Sequence, residues 1–155
     1  MTHDGPFVVV GCDGSVASDP ALRFAAEEAR LRGTALVIVV AYDRPMDPDV
    51  DEFDVSDEEL QTRARDAATT NVRRALDPES GQSPDYEIVA AEGAPAQVLR
   101  DHADGAVMIV IGSHDRPMLQ RMFGRATSRG LLHDTDVPVT IVPSPSDDGR
   151  GTGTR

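Results

Sequence analysis

The segment Ile109-Val110-Ile111-Gly112-Ser113-His114-Asp115, followed by Gly124-Arg125-Ala126-Thr127-Ser128, carries the residue types of a phosphate-binding loop. An apolar run ends in glycine, a polar loop follows, and a second glycine opens a predicted helix. Such a loop offers bare backbone N–H groups and a helix N-terminus, both of which favour anions. Arg121, Arg125 and Arg129 stand at i, i+4 and i+8, so a helix there gathers them into one basic stripe. That stripe reads either as a solvated face balancing local acids or as a phosphate clamp, with Arg125 nearest the helix start. His114 reads as a phosphate donor or as a partner of the loop carbonyls and Asp115. Asp115 opposes the phosphate reading, since a carboxylate repels a phosphate.

Asp13 is the second group with chemical reach. It follows the apolar run Phe7–Val10 within Gly11-Cys12-Asp13-Gly14-Ser15, where it reads as a turn-stabilising residue or a ligand contact. Cys12, the single cysteine, reads as a small apolar residue and permits no internal disulfide. His102, His114 and His133 lack metal spacing. Asp47, Asp49, Asp51 and Glu58 imitate part of a calcium loop, but Glu52 stands where the turn glycine belongs, so the stretch reads as a mobile acidic flap. No metal site and no catalytic residue is predicted. Nucleophile-elbow, zinc-protease and Walker loop patterns are absent, and with no lysine, lysine-dependent phosphoryl transfer is excluded.

The elements that must position these groups alternate. Strands are predicted at Phe7–Val10, Ala35–Val40, Tyr86–Ala91, Val107–Ile111 and Val137–Val142, as short apolar runs bounded by turn residues. The first helix follows Ser18 or Asp19 with Pro20 in its first turn, buries Leu22, Ala25, Ala26 and Ala29, and ends at Gly33. Arg23–Glu27 and Glu28–Arg32 are its expected ion pairs. Ser56-Asp57-Glu58-Glu59 is a capping box for a second helix, with Leu60, Ala64, Ala67, Ala68, Val72, Ala75 and Leu76 inward, ended by Asp77-Pro78. Helices are also predicted at Ala96–Ala103 and Gly124–His133. The pattern predicts an α/β fold, a five-stranded parallel open twisted sheet with helices on both faces. Ligands bind such sheets at the strand carboxyl ends, here Gly11–Ser15, Ala41, Ala91–Gly93 and Gly112–Asp115. Residues 1–143 form the expected single domain, and 144–155 an expected disordered tail.

The chain has 155 residues, with 27 acidic and 15 basic side chains, every basic one an arginine. This surface disfavours nucleic acid and anionic membrane, and any phosphate site must be locally positive. No apolar run is long enough to span a bilayer, and the N-terminus lacks a signal-peptide pattern, so the expected location is cytoplasmic.

Val8-Val9-Val10-Gly11-Cys12-Asp13-Gly14-Ser15 with Ser18 and Ala21-Leu22, the turn Gly93-Ala94-Pro95-Ala96, the run Ile109–His114, and Gly130–His133 through Val142 resemble the universal stress protein family. The resemblance covers about residues 6–143. It implies a Rossmann-like, adenine nucleotide alpha hydrolase-like fold and a homodimer paired through Val137–Val142. In the ATP-binding subset it implies Gly-x2-Gly-x9-Gly followed by Ser or Thr. Carried over, the resemblance assigns Asp13, Val40 and Ala41 to the nucleoside. It assigns Gly112, His114, Gly124, Ala126 and Thr127 to the phosphate loop, with Arg125 added by its chemistry. Three departures stand out: Asp115 replaces the second glycine, eight residues (Arg116–Phe123) replace nine, and Arg125 replaces the hydroxyl residue. The first two disfavour a triphosphate; the third suits a smaller anion.

The expected function is stress-response regulation, with an adenine nucleotide such as ATP at the strand ends and magnesium only alongside a nucleotide. Two alternatives stay open. One is the same fold acting, without nucleotide, as a dimeric adaptor for an unknown protein partner; the other is a weak ATPase.

Overall fold

Glycine-bounded valine and isoleucine runs build the sheet, and amphipathic segments between them return the chain each time to the same edge of the strands. The computed structural model describes residues 4–44, 55–113 and 135–144. The elements are β1 (Phe7–Gly11), α1 (Asp19–Arg32), β2 (Ala35–Tyr42), α2 (Asp57–Leu76), β3 (Tyr86–Glu92), α3 (Pro95–Asp101), β4 (Met108–Gly112) and β5 (Val139–Val142), with a short 3-10 turn at Val16–Ser18. The five strands are all parallel, in the order β3-β2-β1-β4-β5. The chain thus builds outward from β1 on one side, then crosses to β4 on the other. The reversal of strand order falls between β1 and β4.

Strand alternation sorts the core into two layers. Val8, Val10, Leu36, Ile38, Val40 and Val110 pack with Leu22, Ala25 and Ala29 of α1 and Ala68 and Val72 of α2. Phe7, Val9, Val37, Val39, Ile109 and Ile111 point the other way, to Ala96, Val98 and Leu99 of α3. Each fully buried Val, Leu or Ile contributes about 1.5–3 kcal/mol, which sets the register of the central strands firmly.

The helix boundaries follow their local chemistry. Ser56 Oγ accepts from Glu59 N at 3.2 Å at the start of α2, as a capping residue should. Gly33 closes α1 in the left-handed region at φ 63°. Glu28 pairs with Arg32 as expected, whereas Glu27 takes Arg30 at 2.7 Å in place of Arg23. β5 begins at Val139, after Pro138, which has no N–H to give the ladder. α3 ends at Asp101, and His102 Nδ1 lies 2.8 Å from Val98 O, a structural use of that ring. The acidic stretch at 45–54, the predicted helix at 124–133 and the tail after Ser144 lie outside the described residues. Among the described residues no helix is long and apolar enough to cross a membrane.

Candidate functional site

The β1–β4 ladder runs through Val8–Met108, Val9–Ile109 and Val10–Val110. Past it the two chains separate: β1 turns into Cys12–Ser15, and β4 continues to Gly112 beside Val142 of β5. This is the place where open parallel sheets receive ligands. Asp13 and Gly112 both come to it, as their sequence positions predict.

Asp13 is exposed and serves its own turn. Its Oδ1 accepts from Ser15 N at 2.9 Å and Ser15 Oγ at 2.6 Å, an Asx turn that fixes the carboxylate relative to the loop. The turn also requires glycine at position 14. Gly14 has φ +83°, and a Cβ there would lie 2.9 Å from Ala67 Cβ of α2, closer than carbon atoms approach.

Val40 and Ala41 stand beside this turn at the end of β2. Val40 is buried, its side chain in the α1–α2 layer, which leaves only its backbone to the strand end. Within β2, Leu36 and Tyr42 direct their backbone groups at β3, through Leu36 N to Asp85 O and Gly93 N to Tyr42 O. By alternation Val39 and Ala41 direct theirs at β1. Val39 O receives Cys12 N at 2.9 Å, the last link between the strands. The Ala41 backbone N–H and C=O therefore point to the side where β1 has already turned away. That geometry suits recognition of a planar base edge by main chain.

Behind the turn lies a buried polar cluster that the apolar pattern of the sequence does not announce. Asp19 is 2% exposed and Asn71 0%, a depth at which polar groups need partners. Asn71 Nδ2 donates to Asp19 Oδ1 at 2.7 Å and to Ser15 O at 2.9 Å. Arg74 grips Asp19 with Nε on Oδ2 at 2.5 Å and Nη2 on Oδ1 at 2.8 Å, and Nη2 reaches Ser15 O at 3.3 Å. Ser18 N and Oγ complete the set on Ser15 O at 3.2 and 2.8 Å. Hydrogen bonding from Arg74 holds the Asp19 carboxyl below its usual range, against the opposing effect of desolvation. Cys12 Sγ sits 3.7 Å from Asn71 Oδ1, and burial pushes its thiol up to about 11. A thiol held neutral at that level is packing material rather than a nucleophile.

The β4 side of the opening is tied differently. Ser113 N donates to Val142 O at 2.8 Å, and Ser113 Oγ accepts from Ser144 N at 3.1 Å. Ser144 Oγ in turn donates to Ala17 O at 2.8 Å, which joins the end of β5 to the 3-10 turn after β1. The β2–β3 side carries a surface cluster in which Tyr42 Oη donates to Asp57 Oδ1 at 3.2 Å, and Arg44 lies 3.6 Å from Asp57 and 3.5 Å from Glu92. His114, Gly124, Arg125, Ala126 and Thr127, with Asp115, Arg121 and Arg129, lie outside the described residues. Among the described residues no group of His, Cys, Asp and Glu is arranged to hold a metal ion.

The model of the family described as "Universal stress protein family" matches residues 7–143. A universal stress protein of Mycolicibacterium smegmatis is 30% identical over 140 residues, covering 87% of this chain and 47% of that protein. The chain thus spans about half the length of the curated relatives it matches. A solved universal stress protein in complex with cAMP is 28% identical, with a TM-score of 0.59, covering 88% of this chain and 96% of that one. A universal stress family protein from Burkholderia pseudomallei shares the fold at 24% identity and a TM-score of 0.63, covering 89% and 96%.

Proposed function

The chain belongs to the universal stress protein family, and we propose that it is a regulatory member responding to an adenine nucleotide with one phosphate, AMP or its cyclic form. The observation that carries this reading is the joint geometry of the strand ends. The Asp13 carboxylate is fixed by Ser15, and the Ala41 main chain points into the same opening, so hydroxyl and base-edge groups of a nucleoside meet oriented partners. The 28%-identical relative solved with cAMP supports the choice of ligand class. Gly112, His114, Gly124, Arg125, Ala126 and Thr127 would then meet the phosphate. Arg125 would supply local positive charge in a net acidic chain, and Asp115 would set itself against a second and third phosphate.

The ligand supplies binding energy here and no reaction. A nucleotide that binds only the folded, ordered site stabilises it by linkage, and a partner then reads the state of the site. The chain lacks lysine and carries no nucleophile-elbow, zinc-protease or Walker loop pattern, so we read it as non-catalytic. Magnesium would enter only alongside a bound nucleotide. We also propose a cytoplasmic homodimer paired through the β5 edge, where Ile141 is exposed.

The test is a thermal-shift series on the full chain with AMP, cyclic AMP, ADP and ATP at millimolar concentration, with and without magnesium. The monophosphates should raise the melting temperature more than ATP does. A chain that shifts with none of them acts instead as a nucleotide-free adaptor of the same fold, the reading that Asp115 and the shortened loop favour.

A further inference from the structure

Ala67, Asn71 and Arg74 stand at i, i+4 and i+7 of α2, which places them in one stripe on the helix. That stripe docks on the Cys12–Ser15 turn. Gly14 lets the turn lie directly on Ala67, with no room for a side chain between. Asn71 and Arg74 then take hold of the Ser15 carbonyl. The other end of the same residue, its N–H and hydroxyl, holds Asp13 Oδ1. Ser15 is therefore a two-ended link: α2 grips its carbonyl, and it grips the candidate ligand-binding carboxylate. Arg74 is itself anchored by both oxygens of the buried Asp19, so it cannot swing away without leaving that charge unpaired.

We propose that Asn71 and Arg74 are positioning residues of the candidate nucleotide site: acting through Ser15, they set the direction of the Asp13 carboxylate. The ligand side of this inference rests on the nucleotide reading; the geometric side does not. A mere staple between α1 and α2 needs the Asp19 contacts alone. Beside Ser18 N and Oγ, the two donors that α2 places on Ser15 O are the surplus that makes the turn, rather than the helix pair, the thing being held. A consequence is that any displacement of α2 changes the site without touching a ligand-contacting residue.

The experiment compares the full chain with Arg74→Ala, Arg74→Lys, Asn71→Ser and Arg63→Ala. Arg63 belongs to the same helix and pairs only with Glu59 at its surface among the described contacts, which makes it the control. Two quantities are read well below each variant's melting temperature: hydrogen exchange at the Ser15 amide, and affinity for cyclic AMP and AMP by calorimetry. Arg74→Ala and Asn71→Ser should each speed Ser15 exchange about tenfold or more and weaken nucleotide binding about tenfold, the scale of one lost charge-assisted contact. Arg74→Lys should recover part of both, and Arg63→Ala should alter neither. If Arg74→Ala fails to fold, Asn71→Ser, which leaves the Arg74–Asp19 pair in place, decides by the same readouts. Wild-type exchange at Ser15 in the variants overturns the proposal, as does unchanged affinity with a lowered melting temperature. Should the unaltered chain bind neither nucleotide, the nucleotide reading falls, and the exchange at Ser15 alone decides whether the two residues position the turn.

Discussion

The two turns that flank the opening of the sheet are held by opposite means. The turn after β1 is gripped from behind by side chains of α2 that lie more than fifty residues away, through Asn71 and Arg74 on Ser15 and Asp19. The described part of the turn after β4 is held by its neighbouring strand, through Ser113 N on Val142 O and Ser144 N on Ser113 Oγ. The first depends on buried polar groups whose loss cannot be made good by water. The second depends on an edge strand, where water replaces a lost partner at small cost. The difference assigns rigidity to the Asp13 side of the site and tolerance to the Gly112–Ser113 side.

The sharpest way to break this contrast is Asn71→Leu. It keeps the volume and deletes one donor to Ser15 O and one to Asp19 Oδ1, two hydrogen bonds that together contribute about 1–3 kcal/mol, while Arg74 and Ser18 keep their own contacts. Urea denaturation should show a loss of that size, whereas a loss below about 0.5 kcal/mol would mean that solvent reaches the cluster. Gly14→Ala comes next. The left-handed φ and the 2.9 Å approach to Ala67 make about 1–3 kcal/mol of strain, and the melting temperature should fall by several degrees. Ser113→Ala, on the other side, removes one acceptor for half-buried backbone and should cost about 0.5–1.5 kcal/mol at most.

Acidity gives a gentler probe of the same region. The Asp19 carboxyl is held below its ordinary value of 3.8 in the folded chain. Its contribution is therefore complete above that value and is lost as pH falls below it toward the depressed folded value. Asp19→Asn should flatten that acid limb of the stability curve, and an unchanged limb would point to other carboxylates. At the alkaline end the raised Cys12 value works in the opposite sense. Stability is full below 9.0 and declines as pH climbs from 9.0 toward about 11, where the unfolded thiol ionises first. The thiol should accordingly resist a thiol-specific disulfide reagent at pH 8 until the chain is unfolded.

The same contrast explains what the sequence made legible. The strands, the capping box at Ser56–Glu59 and the Gly33 terminus depend on neighbours in the chain, so pattern and turn chemistry locate them. The alternation of strands and helices likewise predicts that Asp13 and Gly112 share one edge of the sheet. Asn71 and Arg74 escape that reading because polar residues in a helix are expected to face water, and their partners are distant. A faint signal existed: Asn71 lies beside Val72 on the face that begins with Ala67 and Ala68, and a polar residue in that place calls for a buried partner. Asp19, behind Ser18 at a helix start, is legible as a capping residue but not as half of a long-range ion pair. The Val137–Val142 expectation missed its first two residues for a simpler reason, since Pro138 cannot donate to the ladder.

The central claim is that the Asp13 side of the opening is a preorganised nucleoside site. Calorimetric titration of cyclic AMP into the full chain and into Asp13→Ala tests it most directly. The account predicts saturable binding of one nucleotide per chain, weakened about tenfold or more in Asp13→Ala by loss of a charge-assisted contact. Equal affinity in the two proteins, or no heat of binding in either, would contradict it.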